Sequence, residues 1–386
     1  MIELKEFAHY VTDKIKVSNL NLEEYISTEN MVANRGGIVC CESMPEASAV
    51  TRYSQGDILV SNIRPYFKKI WYAKGIGGCS NDILVFRANH ENINSKFLYY
   101  ALSQDAFFKH MMAGANGTKM PRGNKTAILS FRIPNVSVEK QKIIAEILSS
   151  YDNLIENNQR QITLLEEAAQ RLYKEWFVDL RFPGHETTPI TDGIPEGWKR
   201  DEVNSIIGLL SGFAFKSAAF TDVGTYKIVT IKNVQDGMFD GHNVSKIAEV
   251  PSKMPAHCYL NDGDILLSLT GNVGRVCMVN GSDYLLNQRV AKLKSEYPAF
   301  AYCLFRSNDM FVEMGNLANG AAQQNLSPIK TGQIKILIPP VDLLNRFENV
   351  VSVYMKQILN LNKQIGMLQE TRDRLLPKLM NGEIEV

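Results

Sequence analysis

Two stretches of this chain carry the same long hydrophobic rhythm. In the first, the marked positions are Ile144, Leu148, Tyr151, Ile155, Asn158, Ile162, Leu165, Ala169, Leu172 and Trp176, in steps that alternate four and three. In the second they are Phe347, Val351, Tyr354, Ile358, Leu361, Ile365, Leu368, Arg372, Leu375 and Leu379, with the same steps. That spacing is the a/d seam of a heptad repeat and predicts two long helices. A segment of about 38 residues makes a helix roughly 57 Å long. Neither stretch has a partner in its own half, so the simplest arrangement packs one seam on the other. Asn158 and Arg372 interrupt the seams, and such polar residues either fix register or mark a frayed edge of the contact. Pro377 lacks an N–H and is expected to kink or end the second helix nearby.

The segments before each helix repeat as well. "GDILVS" (56–61) returns as "GDILLS" (263–268), "ANGTKMPRGN" (115–124) as the looser "ANGAAQQNLS" (318–327), and "FRIP" (131–134) as "ILIP" (336–339). The order is the same in both halves, which indicates duplication of a domain plus a helix rather than a short solenoid repeat. Each "GDIL" reads as a Gly-Asp turn into a short buried strand, and "NDILVFRA" (81–88) as another strand. "SKFLYYALSQDAFFKHMM" (95–112) reads as an amphipathic helix, with "FAYCLFRSNDMFVEM" (300–314) its counterpart. "RFPGHETTPITDGIPEGW" (181–198) has the Pro, Gly and Thr of a linker. The predicted fold class is α+β: two mixed α/β domains, 1–134 and 191–338, and two helical segments, 135–190 and 339–386. The helices pack on each other as a coiled coil, and the whole is an internal pseudo-twofold repeat.

Composition narrows the class of function. With 386 residues, 45% hydrophobic and 22% charged, the chain is long enough for two or three cored domains. The net charge of +1 excludes a global polycation. Counted by segment it is about +4 for 1–134, about −3 for 135–190 and near zero elsewhere. Nucleic-acid binding would therefore rest on local basic patches. The six cysteines form no CxxC pair and no zinc-finger spacing, which fits buried thiols in a reducing cytoplasm. The start "MIELKEFAHYVTDK" is too charged for a signal peptide, and no apolar run approaches the roughly 20 residues of a membrane span. A cytoplasmic, soluble protein with no membrane partner is expected.

Catalytic motifs are absent. "GTKMPRGNKT" (117–126) misses the P-loop: five residues separate Gly117 from Gly123, and Asn124 precedes Lys125. "LIPPV" lacks the polar and aromatic ends of a methyltransferase motif, and no HExxH, GxSxG or Gly-rich cofactor loop occurs. Asp262 and Asp264 belong to a turn and read by default as solvated. What remains are polar loops. "SNIRPYFKKIWYA" (61–73) interleaves Arg64, Lys68 and Lys69 with Tyr66, and the loop at 117–126 projects Lys119, Arg122 and Lys125. Their counterparts carry Thr270, Asn272 and Arg275, and Gln323, Gln324 and Asn325. Arg and Lys position a protein on phosphates, and Arg, Asn and Gln read base edges. A single such loop is more often a solvated edge, but equivalent loops in both halves favour a DNA contact.

Over its whole length the sequence resembles the specificity subunits of type I restriction–modification systems. The resemblance is strongest in "IPNVSVEKQKIIAEILSSYDNLIENNQRQITLLEEAAQRLYKEWFVDL" (133–180). It continues in "PEGWKRDEV" (195–203), "SGFAFKSAAF" (211–220, with Lys216 as a further DNA-contact candidate), the two "GDIL" strands and "LQETRDRLLPKLMNGEI" (368–384). It implies two target-recognition domains, each reading one half of a split, asymmetric site in double-stranded DNA, with the helices packed as an antiparallel coiled coil that sets the gap. It implies no catalysis and no cofactor in this chain. Two modification subunits would bring S-adenosylmethionine for adenine methylation, and restriction subunits would bring ATP- and Mg-dependent translocation and cleavage. Trp176 and Phe177 are candidates for docking the modification subunits, with packing inside the helix pair as the other reading. The first half lacks the "PEGW" entry, and its "SNIRPYFKK" loop lacks the glycines of "LTGNVG", so the two domains are expected to read different half-sites. The rivals are a specificity subunit serving a fused nuclease–methyltransferase, a non-DNA coiled-coil scaffold, and an enzyme without a known motif.

Overall fold

The computed structural model describes residues 1–89, 92–115, 117, 119–241, 244–318 and 324–386. Its helices are α1 (Ser95–Ser103), α2 (Asp105–Ala113), α3 (Lys125–Leu129), α4 (Val138–Tyr173), α5 (Pro298–Phe305), α6 (Asn308–Leu317), α7 (Pro328–Gly332) and α8 (Val341–Asn381). The chain divides into two units. One is Met1–Ile155 with Met367–Val386, the other Glu156–Gly366, so each long helix contributes to both.

In the first unit, Ala8–Tyr10, Ile83–Ala88, Ile58–Ser61 and Ile70–Tyr72 form one antiparallel sheet in that order. In the second unit, Ile207–Ser211, Val290–Ser295, Ile265–Ser268 and Val276–Met278 repeat it. Each "GDIL" segment supplies a central strand buried at every residue, as a short apolar run bounded by a turn requires. A second sheet follows in each unit. Gly77–Cys79 lies between the parallel Tyr25–Ile26 and the antiparallel Ala49–Tyr53. Tyr284–Leu286 lies likewise between Tyr226–Val229 and Tyr259–Leu260. The outer strand differs: Lys14–Lys16 adds beside the antiparallel neighbour, Ser245–Ile247 beside the parallel one. The duplication has diverged there.

The segment 95–112, expected as one helix, is two, because Gln104 is extended (ψ 149°). The carbonyl of Ser103 freed by the break accepts from Arg35 Nε. The counterpart breaks at Arg306 and Ser307, where the Ser307 side chain caps α6 by accepting from the Met310 N–H.

The helix stripes meet in antiparallel sense within each unit. In the first, Ile144, Leu148 and Ala145 of α4 share a core with Leu376, Leu379 and Met380 of α8, and with Phe86, Phe97 and Phe107 of the sheet and α1–α2. Ile155 is also buried, while Tyr151, Leu368 and Leu375 are half-buried. In the second unit, Ala169, Tyr173 and Phe177 pack with Phe347, Val351 and Ile358 and with Phe300 and Phe305 of α5. Leu361 and Ile365 are buried there, and Ile162, Leu165, Leu172 and Tyr354 are half-buried.

Both polar seam residues find partners rather than fraying. Asn158 Nδ2 donates to Gln364 Oε1 at 3.1 Å. Arg372 Nη1 donates to Asp152 Oδ1 at 2.6 Å, and Tyr100 Oη donates to Asp152 Oδ2 at 2.6 Å. Burial alone would weaken the Arg372 charge, but Asp152 and Asp373 outweigh it and hold the guanidinium firmly protonated. The second helix ends near Pro377, as expected: α8 runs through it and stops at Asn381, about one turn later. The proline withholds a donor from the preceding turn, yet Leu376, Leu379 and Met380 on both sides of it are buried in the core. That packing carries the helix one turn further.

The ring of Phe347 is fully buried against Tyr173, Trp176 and Phe177. Phe347→Ala is therefore expected to destabilise the second unit by about 3–5 kcal/mol. Denaturant titration reads this as a lowered midpoint, and an unmoved midpoint contradicts the packing.

Candidate nucleic-acid interface

In each unit the strand from "GDIL" runs into a loop that is stitched to the segment before the short helix. In the first unit the Arg64 N–H donates to the Pro121 carbonyl (2.9 Å) and the Gly123 N–H to the Asn62 carbonyl (3.3 Å), with Ile63 bridging Arg122. In the second, the Gly271 N–H donates to the Gln324 carbonyl (3.0 Å) and the Leu326 N–H to the Leu269 carbonyl (2.7 Å), with Thr270 bridging Asn325. The two loops that the sequence singled out separately are thus one surface in each half. The serine closing each strand folds its own loop: Ser61 Oγ donates to the Ile63 carbonyl and Ser268 Oγ to the Asn272 carbonyl.

Both loops need two left-handed residues, and the halves meet the need differently. The second half uses Gly271 (φ 75°) and Gly274 (φ 80°). At the aligned positions the first half holds Arg64 (φ 48°) and Lys68 (φ 52°), where a Cβ is disfavoured. These two residues flank the turn Pro65–Phe67, which leaves Tyr66 and Phe67 exposed with rings 4.7 Å apart.

A second turn braces the strained loop. The Asn34 N–H donates to the Phe67 carbonyl (2.8 Å) and the Arg35 N–H to the Lys68 carbonyl (3.0 Å). Arg35 also reaches Asp105, which Lys68 pairs at 2.9 Å. Burial works to raise the Asp105 carboxyl, but these two cations outweigh it and hold it below the usual carboxylate range. Tyr66, Lys68, Asp105, Phe108, Lys109 and Met112 line an open pocket of about 460 Å³ beside the loop. Sequence reasoning missed this brace; the only local hint was the turn-rich "ANRGG" (33–37).

The remaining candidates divide by what holds them. Lys119, Lys125 and Lys216 are exposed. Arg122 is exposed and pairs Asp82 at 2.9 Å. Lys69 is half-buried and tied internally: its ammonium donates to the Thr28 carbonyl at 2.5 Å, and burial lowers its pKa. In the second unit, Asn272 and Gln324 are exposed, Thr270 Oγ1 donates to Asn325 Oδ1 at 3.0 Å, and half-buried Arg275 donates to Gln235 Oε1. Gln323 lies outside the described residues. Phe177 is corrected: it is buried among Tyr173, Trp198, Phe300 and Phe347 and unavailable for docking. Trp176 is half-buried, its ring 5.9 Å from Phe347.

The turn carboxylates are not merely solvated. Asp264 accepts from the Asn261 N–H and pairs Lys292 at 2.6 Å, while Asp262 pairs Lys363 of α8 at 2.6 Å. Among the described residues, no group of three or more His, Cys, Asp or Glu is placed to hold a metal ion, and no helix is long and apolar enough to cross a membrane.

If Gly271 and Gly274 are there for their backbone, Gly271→Ala and Gly274→Ala should each destabilise the second unit by about 1–3 kcal/mol. Calorimetry of each variant checks this, and unchanged melting would remove the conformational argument.

Comparisons with known proteins bear on what this surface does. The family model for the type I restriction modification DNA specificity domain matches residues 2–167 and again 195–364. The chain is 27% identical over 309 residues to the type I restriction enzyme MjaIX specificity subunit of Methanocaldococcus jannaschii, covering 77% of this chain and 70% of that one. It is 22% identical over 404 residues to the HindI specificity subunit of Haemophilus influenzae, covering 86% and 87%. Among solved structures, the S subunit of a type I restriction–modification system from M. genitalium shares the fold, with a TM-score of 0.56 at 16% identity, covering 98% of this chain and 95% of that one.

Proposed function

This chain belongs to the type I restriction modification DNA specificity family, and on that premise we propose that it is the DNA-reading subunit of a type I restriction–modification complex. The family model matches twice, and each match contains one copy of the stitched loop pair. That coincidence is the observation that carries the reading. Each copy reads one half of a split, asymmetric site in double-stranded DNA. The recognition domains are 1–134 and 191–338, and the helical segments 135–190 and 339–386 set the gap between half-sites.

The chemistry of the surface supports this assignment. Cations at Arg64, Lys119, Arg122 and Lys125 supply phosphate and guanine contacts in the first half, while Asn272, Arg275, Gln324 and Asn325 supply mixed donors and acceptors in the second. Two surfaces built so differently read different bases. The chain itself performs no bond-breaking step. Two modification subunits carry S-adenosylmethionine and methylate adenine. Restriction subunits carry ATP and Mg and drive translocation and cleavage. The exposed faces of the long helices and half-buried Trp176 are the docking candidates that remain for the modification subunits.

Gln324 is exposed at the lip of the second loop pair. Gln324→Ala is expected to relax the methylated motif at one base position of one half-site, by roughly 5- to 100-fold in preference, and to leave the other half-site unchanged. Sequencing of DNA methylated by the assembled complex reads both together. Equal loss at both half-sites would contradict the assignment of one reader to each half.

A further inference from the structure

Among the described residues, two buried side-chain polar atoms lack a hydrogen-bond partner, Asn62 Oδ1 and Arg64 Nε. They lie two residues apart, in the loop that the structure stitches to Pro121 and Gly123. Asn62 is 8% exposed. Buried polar groups are normally paired, so two exceptions in one loop call for a cause. The backbone at Arg64 adds a second anomaly. Its φ of 48° is one that an arginine adopts at a conformational cost, and the aligned residue of the other unit is Gly271. The fold therefore has a strain-free solution at this position and does not use it.

Three neighbouring cations have partners within the protein. Lys68 pairs Asp105, Lys69 donates to the Thr28 carbonyl, and Arg122 pairs Asp82. No acid stands within ion-pair distance of Arg64 among the described residues. The loop is braced from both sides, by Pro121 and by Asn34 and Arg35, so the strained backbone is fixed rather than averaged. A fixed, partly desolvated and unpaired guanidinium is an unused planar fork. Such a fork fits the O6 and N7 acceptors of guanine in the major groove with two fixed parallel donors, where an ammonium offers only a flexible point charge.

We propose that Arg64 is the specificity-determining residue of the first recognition domain, bound to the O6/N7 edge of a guanine, and that its left-handed backbone is retained to aim it. The inference rests on the DNA-reading function proposed above. The second unit has no counterpart: at Gly271 there is no side chain, and that half reads its bases from Arg275, Gln324 and their neighbours.

The test compares wild type, Arg64→Gly and Arg64→Lys in the complex with the modification subunits. The readouts are the methylated motif, the salt dependence of DNA binding and the melting temperature. The expected result for Arg64→Gly is loss of the requirement for one guanine in one half-site, by roughly 10- to 100-fold, with melting raised by about 2 to 4 °C as the strain is released. Arg64→Lys is expected not to restore the guanine requirement. Two results overturn the proposal. One is an unchanged motif in Arg64→Gly. The other is a uniform loss of affinity over all sequences, with a salt slope lower by about one and rescue by lysine, which marks a phosphate contact. If the wild-type complex shows no split motif at all, the DNA-reading function itself fails.

Discussion

A helix of some forty residues with one apolar stripe cannot leave that stripe in water, and this constraint organises both halves of the protein. In each unit the stripe of α4 is covered by that of α8, and the pair is covered in turn by a helical hairpin and a sheet. The burial is non-directional and would tolerate sliding. The polar contacts supply direction. Asp152 takes both Arg372 from the opposite helix and Tyr100 from α1, so one carboxylate fixes the register of the helices and the seating of the domain on them. In the other unit Glu166 seats the domain on α4, accepting from Tyr302 Oη at 2.7 Å and from Arg306 at 2.5 Å. Glu348 of α8 adds a further tie by accepting the Ala299 and Phe300 N–H groups at the start of α5.

Such fixed seating matters for a reader of sequence. Base edges differ by single donors and acceptors, so discrimination requires side chains held to within fractions of an ångström. The loops here sit directly on the central strands of the sheet and are stitched to the segment before α3 or α7. Rigidity thus passes from the helix core through the sheet to the loop. What differs between the halves lies at the tip: glycines that keep the second loop unstrained, and an arginine and a lysine that hold the first in a conformation they disfavour. The common framework accounts for the duplication, and the different tips account for an asymmetric target.

Much of this framework was legible in the chain. The four-three spacing located both helices because burial on one face imposes that period on any sequence. The "GDIL" repeats located the central strands because a turn followed by a run buried on both sides has few alternatives. Contacts between distant segments were not legible. Lys69 looks like its neighbour Lys68 until Thr28 is brought beside it. Phe177 looks like a docking residue until α5 and Trp198 close over it. The break at Gln104 has no glycine or proline to announce it, since the carbonyl it frees is taken by Arg35, far away in sequence. The strain at Arg64 is invisible in its own sequence and shows in its left-handed backbone, where the other half has Gly271.

The central claim is that this chain alone decides which DNA is modified. The most direct test is a genome-wide map of adenine methylation in cells that carry the partner modification subunits, with and without this chain. The account predicts that one split, asymmetric methylated motif disappears with the chain and returns when it is restored. A methylation pattern that is unchanged while the modification subunits remain active would contradict it.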